Sequence, residues 1–320
     1  MKSLFLLIYL IEASLIFIVF TFFISNTMIS LFDNEENRDF CQLCDFHPVI
    51  QPSSTPRDLI VTATMNYNIQ LLWLVRSIRT TGCKAKIIIF TSGNVKLPDV
   101  FIQCGIEQVI LSHLTARVEQ SPFKIRWEWY YQYLSNHTNE YDRIMHVDAY
   151  DTFFFGDPFS YASKNDTLYF QQEGRIIKLC PYNRQWLLSC HHDLNKKKIL
   201  DNIILCSGSL IGGVKPFFEF VELLVTHKEW PQCWGPGFDQ GDFNYVFYKH
   251  YFISHHKFKY TNCQSRFSTM HYCIRNESNL WNSKGQLQTL DGSDTLIFIH
   301  QYNRFPDVNR YISKLCMIKL

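Results

Sequence analysis

Charge is scarce in this 320-residue sequence. Asp, Glu, Lys and Arg make up 19% of it, and 31 basic against 29 acidic residues leave a net charge of +2. No long basic run is present. A protein that lives on nucleic-acid phosphates needs a far more positive face, so this class of partner is set aside. No Gly-x-Gly-x-x-Gly follows the first candidate strand and there is no Walker-type loop, which disfavours dinucleotide oxidoreductases and P-loop NTPases. Internal repeats are missing too. Cys41-Gln42-Leu43-Cys44 has no second close Cys pair to complete a zinc knuckle. The pair reads instead as disulfide cysteines, bridging within the chain or between two chains of a homodimer. His191-His192 and His255-His256 lack the i, i+4 spacing of a helical metal site and read as surface or loop histidines.

Apolar residues, by contrast, are plentiful. They reach 47%, with aromatics at 16%, which excludes a disordered chain and is enough for a sizeable core. Their placement matters more than their number. From Ser3 to Ile24 only Glu12 is charged at neutral pH, and the low-charge stretch runs on to Phe32. About 20 apolar residues cross a bilayer core. Lys2 precedes the stretch and Asp33, Glu35, Glu36 and Asp39 follow it, so a signal anchor over 1–32 would leave the remainder of the chain lumenal. A cleaved signal peptide is the lesser reading, because the apolar region is long and Ser25-Asn26-Thr27 is a poor cleavage site. Three sequons at Asn136, Asn165 and Asn276, and 11 cysteines, all lie beyond the anchor. They fit an oxidising, glycosylating compartment, the endoplasmic reticulum or Golgi. The odd cysteine count leaves at least one thiol outside intrachain bridges.

Residues 33–57 carry Pro48, Pro52 and Pro56 with Ser53-Ser54-Thr55 and read as a stem. From Asp58 onward strands and helices alternate over 58–320. Strands are expected at 59–64, 84–91, 108–111 and 143–147, and helices at 68–80, 98–104, 122–134 and 215–227. This order predicts an α/β domain with a mostly parallel sheet covered on both faces, its ligand site at the carboxyl ends of the strands.

The fourth strand runs into His146-Val147-Asp148-Ala149-Tyr150-Asp151-Thr152-Phe153-Phe154-Phe155-Gly156-Asp157-Pro158-Phe159. Two carboxylates directly after a buried strand call for a cation or for hydrogen-bond donors. A divalent ion there could neutralise an incoming diphosphate, while the bland alternative is an Asp that caps the next element. The residues alone leave both open.

This segment resembles the metal-binding turn of secretory-pathway glycosyltransferases of the GT-A fold, the nucleotide-diphospho-sugar transferases. One group of these reads Asp-x-x-Asp-x-x-Phe-x-x-Asp-Pro-Phe, which Asp148, Asp151, Phe154, Asp157, Pro158 and Phe159 match in order. The upstream Lys124-Ile125-Arg126-Trp127, then Ser207-Gly208 with Gly212, Asp239-Gln240-Gly241-Asp242-Phe243-Asn244 and His300-Gln301-Tyr302-Asn303-Arg304 resemble further motifs of that family in the right sequence order. The likeness extends over about 58–312. Tyr150, Cys206 and Asn303 depart from the pattern, standing where the group has Arg, Asn and Asp.

What the resemblance implies is a Rossmann-type mixed sheet flanked by helices, and a metal-dependent transfer of a hexosyl or pentosyl unit. The donor would be a nucleotide sugar and the acceptor a glycan, protein or lipid. Asp148, Asp151 and His300 are the implied metal ligands, with Mn²⁺ favoured over Ca²⁺ for a mixed oxygen and imidazole shell and Mg²⁺ as the second candidate. Asp148, Arg126, Ser207 and Gly208 would line the donor, with Asp239 and Gln240 at the reacting sugar and Asp242 as a neighbouring competitor. Gly212-Gly213 reads as a tight turn and Trp234 as an acceptor-stacking candidate. The departures motivate an alternative, a catalytically silent relative that binds carbohydrate or a partner enzyme.

Overall fold

A computed structural model describes residues 41–110, 122–162, 164–191, 196–232, 234–235, 237–252 and 257–317. The expected anchor over 1–32 lies outside these residues. Among the described residues no helix is long and apolar enough to cross a membrane.

The first half of the domain follows the expected alternation. Strand β1 (Asp58–Thr64) leads to helix α1 (Ile69–Thr80), then β2 (Lys86–Thr91), β3 (Ile106–Ile110), α2 (Pro122–His137) and β4 (Arg143–Val147). Asn68 starts α1 by accepting the Gln70 N–H at 3.1 Å, the role expected of an N-cap Asn. Strand β1 pairs in parallel with both β2 and β4, and β3 joins β2 in parallel. Next come β5 (Thr152–Phe154), β6 (Leu168–Ile176), α3 (Pro181–Cys190), β7 (Ile203–Gly213), α4 (Val214–Thr226) and α5 (Phe238–Val246). Strands β8 (Phe258–Thr261), β9 (Phe267–Thr269) and β10 (Phe298–His300) precede the last helix, α6 (Pro306–Leu315).

The seven-stranded sheet runs β3-β2-β1-β4-β7-β6-β8. It is mixed, because β7 is antiparallel to both β4 and β6. Side chains alternate across its plane. Leu59, Val61, Ile88 and Phe90 join one core with Trp127, Trp129, Phe217 and Phe243 of α2, α4 and α5. Ile60, Ile87 and Ile89 join the other core with Leu71, Val75 and Ile78 of α1. A second, three-stranded sheet, β5-β10-β9, lies over a third cluster with Val308 and Ile312 of α6.

Three features of the structure refine what the sequence suggests. The described part of the expected stem, 41–57, is fastened to the domain. Cys41 is bridged to Cys104 and Cys44 to Cys316, so this Cys pair closes intrachain disulfides. Asp157 accepts the Ser53 and Ser54 amides at 2.8 and 2.7 Å, which turns the Asp-Pro-Phe end of the acidic motif into a clasp for that segment. Gly212 and Gly213 do not form a tight turn. They end β7, where a Cβ on Gly212 would lie 2.9 Å from the Leu168 Cα and one on Gly213 would strike the Asn165 carbonyl. His191 is fully buried and stacked on Tyr245 with ring centroids 3.6 Å apart, not on the surface.

Candidate metal centre

Sheet topology explains why residues 148, 151 and 300 meet. Asp148 is the first residue beyond β4, at the carboxyl end of a strand buried along its whole length. Asp151 immediately precedes β5, which returns antiparallel to β10 with Thr152 in register with His300. The turn and the end of β10 therefore face each other. On the other side, β7 pairs with β4 so that Val147 lies opposite Ser209, and the Asp148 N–H donates to the Gly208 carbonyl at 2.8 Å. Gly208 is thereby pressed beneath the carboxylates. A Cβ there would sit 2.5 Å from Asp148 Oδ2 and 2.6 Å from His300 Nε2, so no side chain fits.

Ligand atoms of Asp148, Asp151 and His300 lie within 4.8 Å of one another. His300 Nε2 is 3.1 Å from Asp148 Oδ2 and 3.4 Å from Asp151 Oδ1. Two donors each about 2.1 Å from an octahedral cation and at right angles are about 3 Å apart. The spacing suits a divalent cation, and so does the donor set of two carboxylates and one imidazole. The histidine is 1% exposed, whereas the Asp148 and Asp151 side chains are 23% and 19% exposed, so the cluster opens to solvent through its carboxylates.

Charge is organised around this cluster. Arg126, on α2, spans two acids: Nη1 pairs with Asp148 and Nη2 with Asp239 at 2.9 Å, while Nη2 also reaches the Ser207 carbonyl at 3.2 Å. The guanidinium is thus committed to carboxylates rather than left open toward a phosphate. Burial disfavours charge on Asp148, but Arg126 and His300 outweigh it and hold the carboxyl well below the ordinary range. For His300 burial likewise opposes charge, yet the Asp151 and Asp148 carboxylates raise its pKa well above the ordinary value.

The Asp-Gln-Gly segment forms the start of α5 and docks on β7. Asp239 is 2% exposed, and its Oδ2 also accepts the Ser207 hydroxyl at 3.0 Å. Gln240 Oε1 accepts the Ser207 N–H at 3.2 Å, and its Nε2 donates to Asn183 at 2.9 Å and Glu173 at 3.1 Å. Asn244 fixes the helix by bonding both the N–H and the C=O of Leu205 at 2.8 Å. Asp242 belongs elsewhere. It is fully buried, 2.7 Å from Lys124 Nζ and 2.9 Å from His191 Nε2, which removes it as a competitor of Asp239. Trp234 donates its indole N–H to the Pro231 carbonyl at 3.1 Å and packs near Lys124.

All the expected site residues, Arg126, Asp148, Asp151, Ser207, Gly208, Asp239, Gln240 and His300, come together. Reading along the chain missed Glu173, Asn183, Gln171 and Thr269, which support Gln240 and His300 from β6, α3 and β9. No local pattern marks them, because each matters only through a residue distant in sequence. Of the departures, Cys206 lies 3.3 Å from His300 Nδ1, and Tyr150 ties the acidic turn to the loop after β1 by donating to the Asn66 carbonyl at 2.6 Å. Asn303 is exposed, beside the cluster rather than in it. Neither a protein-family model nor a curated protein matches this chain, and the chemistry of the site therefore rests on its own residues.

Proposed function

We propose that this chain is a metal-dependent glycosyltransferase that moves a sugar from a nucleotide-sugar donor to a glycan or glycoconjugate acceptor. The observation that carries the reading is the convergence of Asp148, Asp151 and His300 above a glycine that admits no side chain. A rigid, partly open set of two carboxylates and one imidazole at the end of a buried strand suits a hard divalent cation, Mn²⁺ first and Mg²⁺ second. When bound, such a cation supplies Lewis acidity and charge neutralisation at the departing diphosphate. The mixed sheet, with its antiparallel strand beside the acidic turn, supports a GT-A-like arrangement.

The chain's own residues divide the remaining work. Arg126 holds Asp148 and Asp239 at a fixed separation. Gly208, with no side chain, keeps the floor of the site free of bulk beneath the carboxylates. Asp239 and Gln240, locked to Ser207, are the polar groups for a sugar hydroxyl and the anomeric region. Exposed Asn136, Asn165 and Asn276, together with the intrachain disulfides, support a lumenal enzyme of the endoplasmic reticulum or Golgi, and the apolar stretch over 1–32 of the sequence supports a membrane anchor.

A second reading, a silent relative that only binds carbohydrate or a partner, draws on Cys206, which holds His300 where the family pattern has Asn. Hydrolysis of a panel of nucleotide sugars by the purified lumenal part, with Mn²⁺ or with chelator, separates the two. Metal-dependent turnover of one donor, abolished in Asp151→Asn, is expected. Turnover that survives this substitution sinks the metal assignment, and donor binding without turnover favours the silent relative.

A further inference from the structure

The third ligand of the cluster is held from behind. His300 Nδ1, on the side of the ring away from the carboxylates, lies 3.0 Å from Thr269 Oγ1. Thr269 Oγ1 in turn donates to Gln171 Oε1 at 2.9 Å. An Nδ1–H that donates to this hydroxyl, with the hydroxyl donating on to Gln171, leaves the lone pair of a neutral ring on Nε2. That nitrogen faces Asp148 and Asp151. The arrangement is built into the sheet. Thr269 and His300 are register partners of the parallel β9–β10 pair, and such partners project to the same face. Gln171 comes across from β6, and all three side chains are at least 98% buried. Water is therefore a poor substitute for either partner.

We infer that Thr269, backed by Gln171, is the positioning residue that sets the tautomer and aim of His300 and so makes Nε2 a metal ligand. This rests on the metal-site reading above. Cys206 Sγ is the other group near Nδ1, at 3.3 Å, and as a weak acceptor it leaves the threonine as the stronger partner.

Mn²⁺ binding to the purified full-length protein, followed by the electron paramagnetic resonance signal of free Mn²⁺, tests the relay without any sugar substrate. Thr269→Val keeps shape but removes the acceptor, and it is expected to weaken Mn²⁺ about 10- to 100-fold, the usual cost of losing such an outer partner. Thr269→Ser, which restores the hydroxyl but not the methyl, is expected to return affinity to within about threefold of wild type, and Cys206→Ala to leave it within the same range. A purely structural threonine predicts the reverse order, with the volume-conserving valine tolerated and serine impaired. Wild-type affinity in Thr269→Val, or a loss in Cys206→Ala larger than in Thr269→Val, overturns the relay alone. Absence of Mn²⁺ uptake by the wild-type protein overturns the metal site and the relay together.

Discussion

Replacing Gly208 by alanine adds one methyl group at the floor of the site, and the consequences can be followed atom by atom. The new Cβ would lie 2.5 Å from Asp148 Oδ2, 2.6 Å from His300 Nε2 and in hard contact with His300 Cε1. Real Cβ contacts essentially never fall below 3.0 Å, so something must move. His300 has nowhere to go, being 1% exposed and pinned by Thr269 and Cys206. Asp148 is the part that yields, because its side chain is 23% exposed, and swinging outward would cost its contacts with Arg126 and His300. Overpacking of this kind costs about 1–3 kcal/mol. At roughly 2–4 °C per kcal/mol for a domain of this size, the melting temperature should fall by about 2–12 °C. Metal affinity should suffer more, since a displaced ligand costs beyond the 10- to 100-fold typical of an outer-shell change. Calorimetric titration with Mn²⁺ and a thermal melt read the two effects separately. Ser209→Ala, one residue on and directed to the opposite face of β7, serves as the control and should leave Mn²⁺ binding unchanged. A Gly208→Ala protein that binds Mn²⁺ as tightly as wild type would refute the convergence of Asp148 and His300 above this glycine.

Three further outcomes follow from the same structure. Asp242→Ala removes the carboxylate that pairs with the fully buried Lys124, and denaturant unfolding should show a loss of about 3–5 kcal/mol. Mn²⁺ affinity should fall with acidification, because the raised His300 pKa means that Nε2 must shed a proton before it can bind metal. The metal-free protein has the opposite dependence. The imidazolium's contribution to stability is complete below the unfolded histidine pKa of about 6.5 and is lost as pH rises through the elevated folded value, so melting temperatures across that window with and without Mn²⁺ should diverge. Cys83, Cys180 and Cys206 are buried free thiols, and burial pushes the Cys83 thiol up to about 12. Iodoacetamide should leave all three unmodified in the native protein and label them after unfolding; rapid native labelling, read by mass spectrometry, would contradict their burial.

The first half of the domain was legible because its signals are local. Short apolar runs separated by helical periodicity over 58–147 correspond to β1 through β4 with ends displaced by two or three residues at most. The later half was harder. Strand β7 contains the Ser-Gly motif, and its role as the antiparallel neighbour of β4 depends on register with a strand some 60 residues earlier, which no periodicity encodes. Asp242 illustrates the same limit. Three residues from Asp239 on one helix, it could compete for the site on paper, yet it turns to Lys124 and His191 in a sealed interior.

Composition and pattern by themselves determined that this is a folded α/β chain with an apolar N-terminal stretch and an acidic turn at the end of its fourth strand. Those properties arise from residues adjacent in sequence or from bulk composition. Only the tertiary structure brought His300, which the family resemblance had singled out, to within reach of the carboxylate pair, spent Arg126 on bridging Asp148 and Asp239, and tied the expected stem to the domain through Cys41 and Cys44. Each of these is a contact between residues far apart in sequence. Such contacts are set by strand order and register, which minimise the free energy of the whole sheet rather than of any one segment.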